Sequence, residues 1–393
     1  MEYRKMENLG ISTSLLGFGC MRFPTMADGE IDEVRAEKML DDALAAGVNY
    51  IDTAYPYHGG KSEPFVGRAL KKYPRESFYL ATKLPAWLVN SVEDAERIFN
   101  EQLERLKTDY IDFYLLHAMG GGRYDDMVRL GIVEWGEKKK AEGKIKYFGF
   151  SFHDNYQAFE HILTARKWDF CQIQLNYMDT EVQAGIKGYE LTEKLGVPLV
   201  IMEPVKGGSL TTFADDIANM FKSERPDESL ASWALRFVGT MPNVKVILSG
   251  MSTEEQVADN LKTFNKFEPL TEKEQQLVKD VVAAVKARVK NGCTNCRYCM
   301  PCPFGVDIPR NFAIWNNYSM YGNAGGAKWS YYNDMKAENR ADQCKKCGAC
   351  LKPGCPALTK NEDGTIAIDA TMCNGCGLCM QLCPFDAIEK ERK

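Results

Sequence analysis

The chain has 393 residues, 45% hydrophobic and 26% charged, enough for one large domain plus a smaller one. Its formal net charge of −5 disfavours a nucleic-acid or anionic-membrane partner. No run approaches the roughly 18 uninterrupted apolar residues of a membrane span, and the opening "MEYRKMENLG" lacks the apolar core of a secretory signal, so a cytoplasmic protein is expected.

Short apolar, β-branched-rich runs recur along the first part of the chain: "LLGFG" near residue 15, "VNYID" near 48, "FYLATK" near 78 and "YIDFYLLH" near 110. "IKYFGFS" near 145, "FCQIQLNY" near 170, "VPLVIMEP" near 197 and "NVKVILSG" near 243 complete the series. The stretches between them have helical period. In "SVEDAERIFNEQLERLK", Ser91 and Asp94 form a capping box, and Ala95, Ile98, Phe99, Leu103 and Leu106 repeat on one face. Eight strand signals, each followed by a helix signal, predict an α/β fold, a (β/α)8 TIM barrel over residues 1–270. A doubly wound sheet is less suited, because "LLGFGCMRF" has G-x-G without the third glycine of a dinucleotide turn. Cys20 and Cys171 lie in apolar runs and are expected in the core.

"TEKEQQLVKDVVAAVKARVK" predicts a linking helix within 271–292, ended by Asn291-Gly292. The other twelve of the fourteen cysteines follow. They form three runs: Cys293, Cys296, Cys299 and Cys302; Cys344, Cys347, Cys350 and Cys355; Cys373, Cys376, Cys379 and Cys383. Each run ends in Cys-Pro, and C-x2-C-x2-C with a later Cys-Pro is an iron–sulfur ligation pattern. Zinc sites favour pairs of cysteines instead. Residues 293–393 are therefore expected to form a small α+β ferredoxin-like domain with two or three [4Fe–4S] clusters. Within it, 344–393 reads as a two-cluster ferredoxin unit, with "GTIAID" and "DAIEK" supplying short strands. The exchange rule would give Cys383 to the second run's cluster and Cys355 to the third's. An aromatic-rich stretch at 311–335 is expected to pack against the clusters or the barrel.

At the predicted strand ends stand residues of the types that carbonyl reduction needs. "YIDTAYPYHGG" offers Asp52 and Tyr57, "YLATKLP" offers Lys83, and "FYLLHAMG" offers His117. The carbonyl oxygen needs a proton as hydride reaches carbon. A tyrosine, with an ordinary pKa near 10, suits this if a lysine cation lowers that pKa, and an aspartate can hold the lysine charged.

These residues, with "LATK", "DYIDFYLLH", "GFSFH", "QIQLNY", "EPVKGG" and "SGMSTEEQVADN", resemble the aldo/keto reductase family over most of residues 3–265. The resemblance implies Tyr57 as general acid, Lys83 and Asp52 as its tuners, and His117 as orienter of a small carbonyl substrate. It also implies a nicotinamide dinucleotide across the C-terminal barrel face. Ser151 and Gln174 would hold the amide, with Met202 and Glu203 at the ring. Ser249, Gly250, Met251, Gln256 and Asn260 would lie along the pyrophosphate and adenosine. Gly250, Met251 and Gln256 replace the family's usual grip on a 2′-phosphate, so NADP(H) and NAD(H) both stay open. Trp87, Tyr55, Met21 and Phe23 are expected to form an aromatic wall for the substrate.

The first cysteine run resembles the subset of that family carrying a C-terminal [4Fe–4S] dicluster domain, and 344–393 resembles the ferredoxin tail of indolepyruvate ferredoxin oxidoreductases. The expected function is thus an NAD(P)H-dependent oxidoreductase with electron transfer through its C-terminal clusters. Hydride carries two electrons and a cluster one, so a ferredoxin or flavoprotein partner is expected. Flavin in the chain itself stays possible but has no motif behind it. The alternative is an electron-transfer protein whose barrel is a docking or structural scaffold.

Overall fold

Residues Tyr3–Met6 (β1) and Ile11–Ser14 (β2) pair as an antiparallel hairpin. It places Met6 among the interior residues of the following sheet. The structure, a computed structural model, describes residues 1–346 apart from 294, 296 and 298, together with two short strands at 358–360 and 366–368.

All eight expected strands are present: Leu16–Gly19 (β3), Tyr50–Asp52 (β4), Tyr79–Leu84 (β5), Ile111–Met119 (β6), Ile145–Phe152 (β7), Phe170–Gln174 (β8), Leu199–Met202 (β9) and Val244–Ser249 (β10). Each pairs in parallel with the next, and β10 returns to β3, closing the barrel. Helices between strands are Glu33–Ala45 (α1), Ser62–Ala69 (α2), Val92–Leu106 (α3), Gly121–Arg129 (α4), Ile132–Ala141 (α5), Tyr156–Thr164 (α6), Gly185–Leu195 (α7), Asp215–Glu224 (α8) and Leu230–Gly239 (α9). Glu254–Asn265 (α10) follows the last strand.

Strand alternation divides the core in two. Tyr50, Ala81, Phe113, Leu115, Phe170, Val200, Val246 and Leu248 fill the interior with Met6. Their sequence neighbours, such as Ile51, Leu80, Tyr114 and Cys171, pack outward against the helices. A Cβ at Gly17 would lie 2.6 Å from Val246 Cγ1 and 2.9 Å from Leu248 Cδ2, so the interior has no room for a larger residue there. Cys20 and Cys171 are both fully buried, as expected. In α3 the Ser91 hydroxyl accepts from Asp94 N, while the Asp94 carboxylate turns back to Asn90 N rather than to Ser91.

The chain divides into two compact units, 1–211 with 221–279, and 212–220 with 280–393. The expected linking helix is Glu272–Lys286 (α11), which ends before Asn291. In the second unit, Ile308–Tyr321 (α12) starts from the Asp307 cap and stops at Gly322, whose φ of 68° suits glycine. Ala324–Trp329 (α13) follows. Tyr321 and Met335 of the aromatic-rich stretch are buried, whereas Trp315, Tyr318, Trp329 and Tyr332 are each at least 47% exposed. Leu358–Lys360 (β11) and Ile366–Ile368 (β12) pair antiparallel, placing a strand in "GTIAID". "DAIEK" lies outside the described residues. Among the described residues no helix is long and apolar enough to cross a membrane.

Candidate active site

Asp52, Lys83 and His117 each stand two residues beyond an interior core residue, namely Tyr50, Ala81 and Leu115. The two-residue period of a strand therefore lifts all three to one layer above the packed interior. Tyr57 follows in a turn where His58 and Gly59 have φ of 51° and 63°. This reversal places the Tyr57 ring 6.2 Å from the His117 ring and 5.1 Å from Lys83 Nζ. The four expected residues are thus brought together.

Lys83 is completely buried and its ammonium is saturated. Nζ donates to Asp52 Oδ1 at 2.7 Å, Asp52 Oδ2 at 2.8 Å and the Thr53 carbonyl at 2.7 Å. Burial works to discharge Lys83, but the Asp52 carboxylate and Tyr57 hold its pKa above the ordinary lysine value. Burial raises Tyr57 as well, and the Lys83 charge only partly offsets this, so its pKa ends above 10 rather than below it. That corrects the expectation of a lowered tyrosine: at this depth, desolvation of a phenolate outweighs one nearby cation. His117 is driven down to about 3 by burial, helped by Lys83, His153 and Arg123, and is neutral at working pH. Its Nδ1 is buried without a partner. Nε2 is therefore the nitrogen left to meet a substrate oxygen.

The strand that carries His117 is locally irregular. Pairing of β6 with β7 shifts register between Leu116 and Met119, and Ala118 has φ of 55°. Both backbone groups of Ala118 are held: its N–H donates to Ser151 Oγ at 2.8 Å, and its carbonyl accepts from Arg123 Nη1 at 2.5 Å. A bulge that re-aims a side chain beside a site is a recurrent device. Ser151, expected to hold a nicotinamide amide, thus accepts from this bulge and keeps its hydroxyl proton available.

The other expected cofactor residues lie on β8 to β10 and the segment after them. Gln174 is part of a polar network: its Nε2 donates to Asp179 Oδ2 at 3.3 Å, and its Oε1 accepts from Gln183. Asp179 is also held by Lys206, at 2.7 and 2.5 Å. Met202 Sδ receives a contact from Gln172 Nε2 at 3.3 Å, and the buried Gln172 Oε1 has no partner. Glu203 has φ of 57°. Gln256 Oε1 accepts from Ser252 N, and Asn260 Nδ2 donates to Ser249 Oγ at 2.8 Å. A Cβ at Gly250 would lie 2.7 Å from Arg22 Cγ, so Arg22 rests on this glycine. Met251 is buried in the outer core, which leaves its side chain unable to face a dinucleotide. Asn260 and its partner Ser249 are both buried, each 4% exposed.

Of the expected aromatic wall, Trp87 stands 5.1 Å from His117 and is 45% exposed, and Met21 is exposed. Phe23 is buried against Phe65 and His58. Tyr55 is turned toward α3, its hydroxyl on Glu101 and its ring under Arg105.

Residues 15–283 match the aldo/keto reductase family. The chain belongs to that family. Among its relatives are an uncharacterized oxidoreductase of Bacillus subtilis, YqkF, 28% identical over 70% of this chain and 94% of that protein. An NADH-specific methylglyoxal reductase of Escherichia coli is 27% identical over 66% of this chain and 90% of that protein. The holo form of an aldo-keto reductase from Bacillus halodurans superposes with a TM-score of 0.60 at 29% identity, covering 72% of this chain and 96% of that one.

In this aldo/keto reductase a buried network behind Lys83 had no signal in the sequence. Glu63, fully buried at the start of α2, accepts from Thr82 Oγ1 and Gln102 Nε2, both at 2.6 Å. Gln102 Nε2 also reaches the Lys83 carbonyl at 3.1 Å, and its Oε1 accepts from Tyr114. Next to Glu63, Ser62 meets Thr53 Oγ1 at 2.9 Å, and Thr53 supplies the carbonyl that takes the Lys83 ammonium. The Ser62-Glu63 pair therefore braces both ends of Lys83. Gln102 sits on the same helical face as Ile98 and Phe99, where a polar residue looks like a break in an apolar stripe.

Residues 292–360 match a 4Fe–4S dicluster domain and 366–389 a 4Fe–4S binding domain. The protein is thus an aldo/keto reductase-family oxidoreductase with C-terminal 4Fe–4S domains. The dicluster match takes the first and second cysteine runs together. Among the described cysteines, Cys293, Cys299 and Cys302 are partly exposed and Cys344 is exposed. Asn295 and Arg297, between the first cysteines of the run, have φ of 60° and 63°. Left-handed residues in such a run turn backbone N–H groups into a concavity suited to an anionic cluster. Lys346, with φ of 55°, donates its N–H to Cys344 Sγ at 3.4 Å. Cys296, Cys347, Cys350, Cys355, Cys373, Cys376, Cys379 and Cys383 lie outside the described residues.

Proposed function

We propose that this protein reduces a small aldehyde or ketone to an alcohol with NAD(P)H, and that its C-terminal clusters exchange electrons with a ferredoxin or flavoprotein partner. The observation that carries the first part is the saturated, buried Asp52–Lys83 pair under Tyr57, with a neutral His117 across from it.

The residues around this layer suit a nicotinamide dinucleotide. Ser151 keeps a proton to donate, Gln172 Oε1 is an orphaned buried acceptor, and Met202 offers a soft apolar face beside it. Ser151 and Gln174 would hold the amide and Met202 the ring, with Glu203 at its edge. Ser249, Gly250 and Gln256 would lie along the phosphates and adenosine, Asn260 acting through Ser249. Arg22, on Gly250, is a cation for a phosphate that the residues at 250, 251 and 256 do not provide. The nicotinamide, when bound, supplies the hydride. Tyr57 gives its hydroxyl proton to the carbonyl oxygen as negative charge develops there. The phenolate left behind faces Lys83, whose charge Asp52 and the Thr53 carbonyl keep in place. His117 Nε2–H donates to the same oxygen and orients it, and burial of this layer strengthens each contact.

The cysteine positions and their N–H donors suit [4Fe–4S] clusters, which supply one-electron transfer when bound. Because the dicluster match joins the first two runs, the exchange is proposed between Cys302 and Cys355 in place of the one expected between Cys355 and Cys383, which leaves Cys373, Cys376, Cys379 and Cys383 for a third cluster. Iron and acid-labile sulfide on anaerobically purified protein should then come to about twelve of each per chain, where two clusters would give about eight. Anaerobic oxidation of NADPH and NADH against a panel of carbonyls tests the barrel reading. Reducible clusters with no oxidation of either nucleotide would instead favour an electron-transfer protein with a scaffold barrel.

A further inference from the structure

Resting on the carbonyl reductase reading, we propose that Arg123 forms a subsite for a negatively charged group of the substrate, so that the preferred carbonyl compounds carry a carboxylate. A line of side chains leads outward from the reacting layer. The His117 ring is 5.1 Å from the Trp87 ring, and the Arg123 guanidinium carbon is 6.0 Å from the Trp87 ring centroid, at the outer reach of a cation–π contact. Trp87 is the part of the expected aromatic wall that faces His117, and it ends at a cation.

The guanidinium is only partly used. Nη1 donates to the Ala118 carbonyl, which fixes the arginine relative to His117 one residue away. Two other arginines that lie on aromatic rings are neutralised: Arg75, over Tyr110, pairs with Asp112, and Arg105, over Tyr55, pairs with Glu63 and Glu101. Among the described residues no carboxylate lies within 4.0 Å of Arg123. It is exposed, on the first turn of α4, after three consecutive glycines, the first two of which lie against the Asp154 carboxylate, whose Oδ2 accepts from Gly121 N at 3.1 Å. Its charge reaches the reacting layer, since it helps hold both His117 and His153 neutral. An arginine's remaining fork of N–H donors matches a carboxylate in two-point fashion. A carbonyl placed between Tyr57 and His117 would extend a ring or chain along Trp87 and bring its acid group to this fork.

A purely structural role, holding the Ala118 bulge, is the competing account, and a matched pair of substrates separates the two. With para-carboxybenzaldehyde and benzaldehyde, wild-type kcat/KM should favour the acid. Arg123→Ala should lower the ratio of the two kcat/KM values by roughly tenfold to a hundredfold, the scale of one charge-assisted contact, chiefly through KM for the acid. Arg123→Lys should retain part of that ratio. Raising ionic strength should shrink it in wild type only. An unchanged ratio in Arg123→Ala, with both aldehydes slowed equally, overturns the subsite and leaves the bulge role. Calorimetric titration of benzoate keeps this independent of turnover: binding to wild type that is lost in Arg123→Ala supports the subsite, and equal or absent binding in both overturns it. If neither aldehyde is reduced by wild type, the reductase reading falls, and the benzoate result alone decides the subsite.

Discussion

The two halves of the barrel mouth are built on different principles. On the side of β4 to β6, Lys83 and Asp52 are buried, saturated and braced from behind by Glu63, Gln102 and Thr53. On the side of β8 to β10, Gln172 keeps an orphaned acceptor, Met202 is half-buried, and Glu203 and Lys206 have left-handed backbones. The first half is a dry frame that keeps charges where a proton must move. The second leaves donors, acceptors and a soft side chain for a large ligand to complete.

Changes to the braced half should be the most damaging. Tyr57→Phe removes the acid and should cost about a thousandfold or more in carbonyl reduction, with iron content and fold unchanged; wild-type turnover in this variant would dismiss Tyr57 from that role. Lys83→Met should abolish activity and also lower stability by about 3–5 kcal/mol in denaturant titration, because it strands the Asp52 carboxylate in the interior. The double variant Lys83→Met with Asp52→Asn should recover much of that stability but none of the activity. Failure to recover would mean that the pair is not the source of the loss.

The pH profile distinguishes the two ways of tuning Tyr57. The acid must be protonated to act, and its pKa lies above the ordinary value, so the rate of reduction should hold through neutral pH and fall only as pH rises past about 10. His117, at about 3, should add no limb near 6.5. An alkaline limb centred near 8 would show that Lys83 wins over burial after all.

Smaller effects are expected behind and across from the frame. Gln102→Leu leaves Glu63 and the Lys83 carbonyl short of a partner and should cost about 1–3 kcal/mol of stability, seen as a lower melting temperature. Met202→Ala, in the adaptable half, should raise KM for the nicotinamide nucleotide several-fold while kcat changes little. A collapse of kcat there would mean that the two halves are coupled more tightly than their packing suggests.

The eight strands, their alternation and the layer holding Asp52, Lys83 and His117 were legible because a period of two and an interior residue two places earlier are properties of local sequence. The cysteine runs were legible for the same reason, since ligand spacing within a run is local. What escaped was long-range. Gln102 and Glu63 become a brace only when α2 and α3 dock on β5. Met251, plausible at a dinucleotide by position, is claimed by the core. Arg123 acquires Trp87 as a neighbour from the separate segment after β5.

The sequence by itself determined the order of elements, which strand ends carry reactive side chains, and a cysteine-rich tail of 4Fe–4S type. Only the tertiary structure decided how those side chains behave. Tyr57 rises rather than falls, because the free energy of burying a charge depends on everything that surrounds it, while a charge neighbour counts only at its own distance.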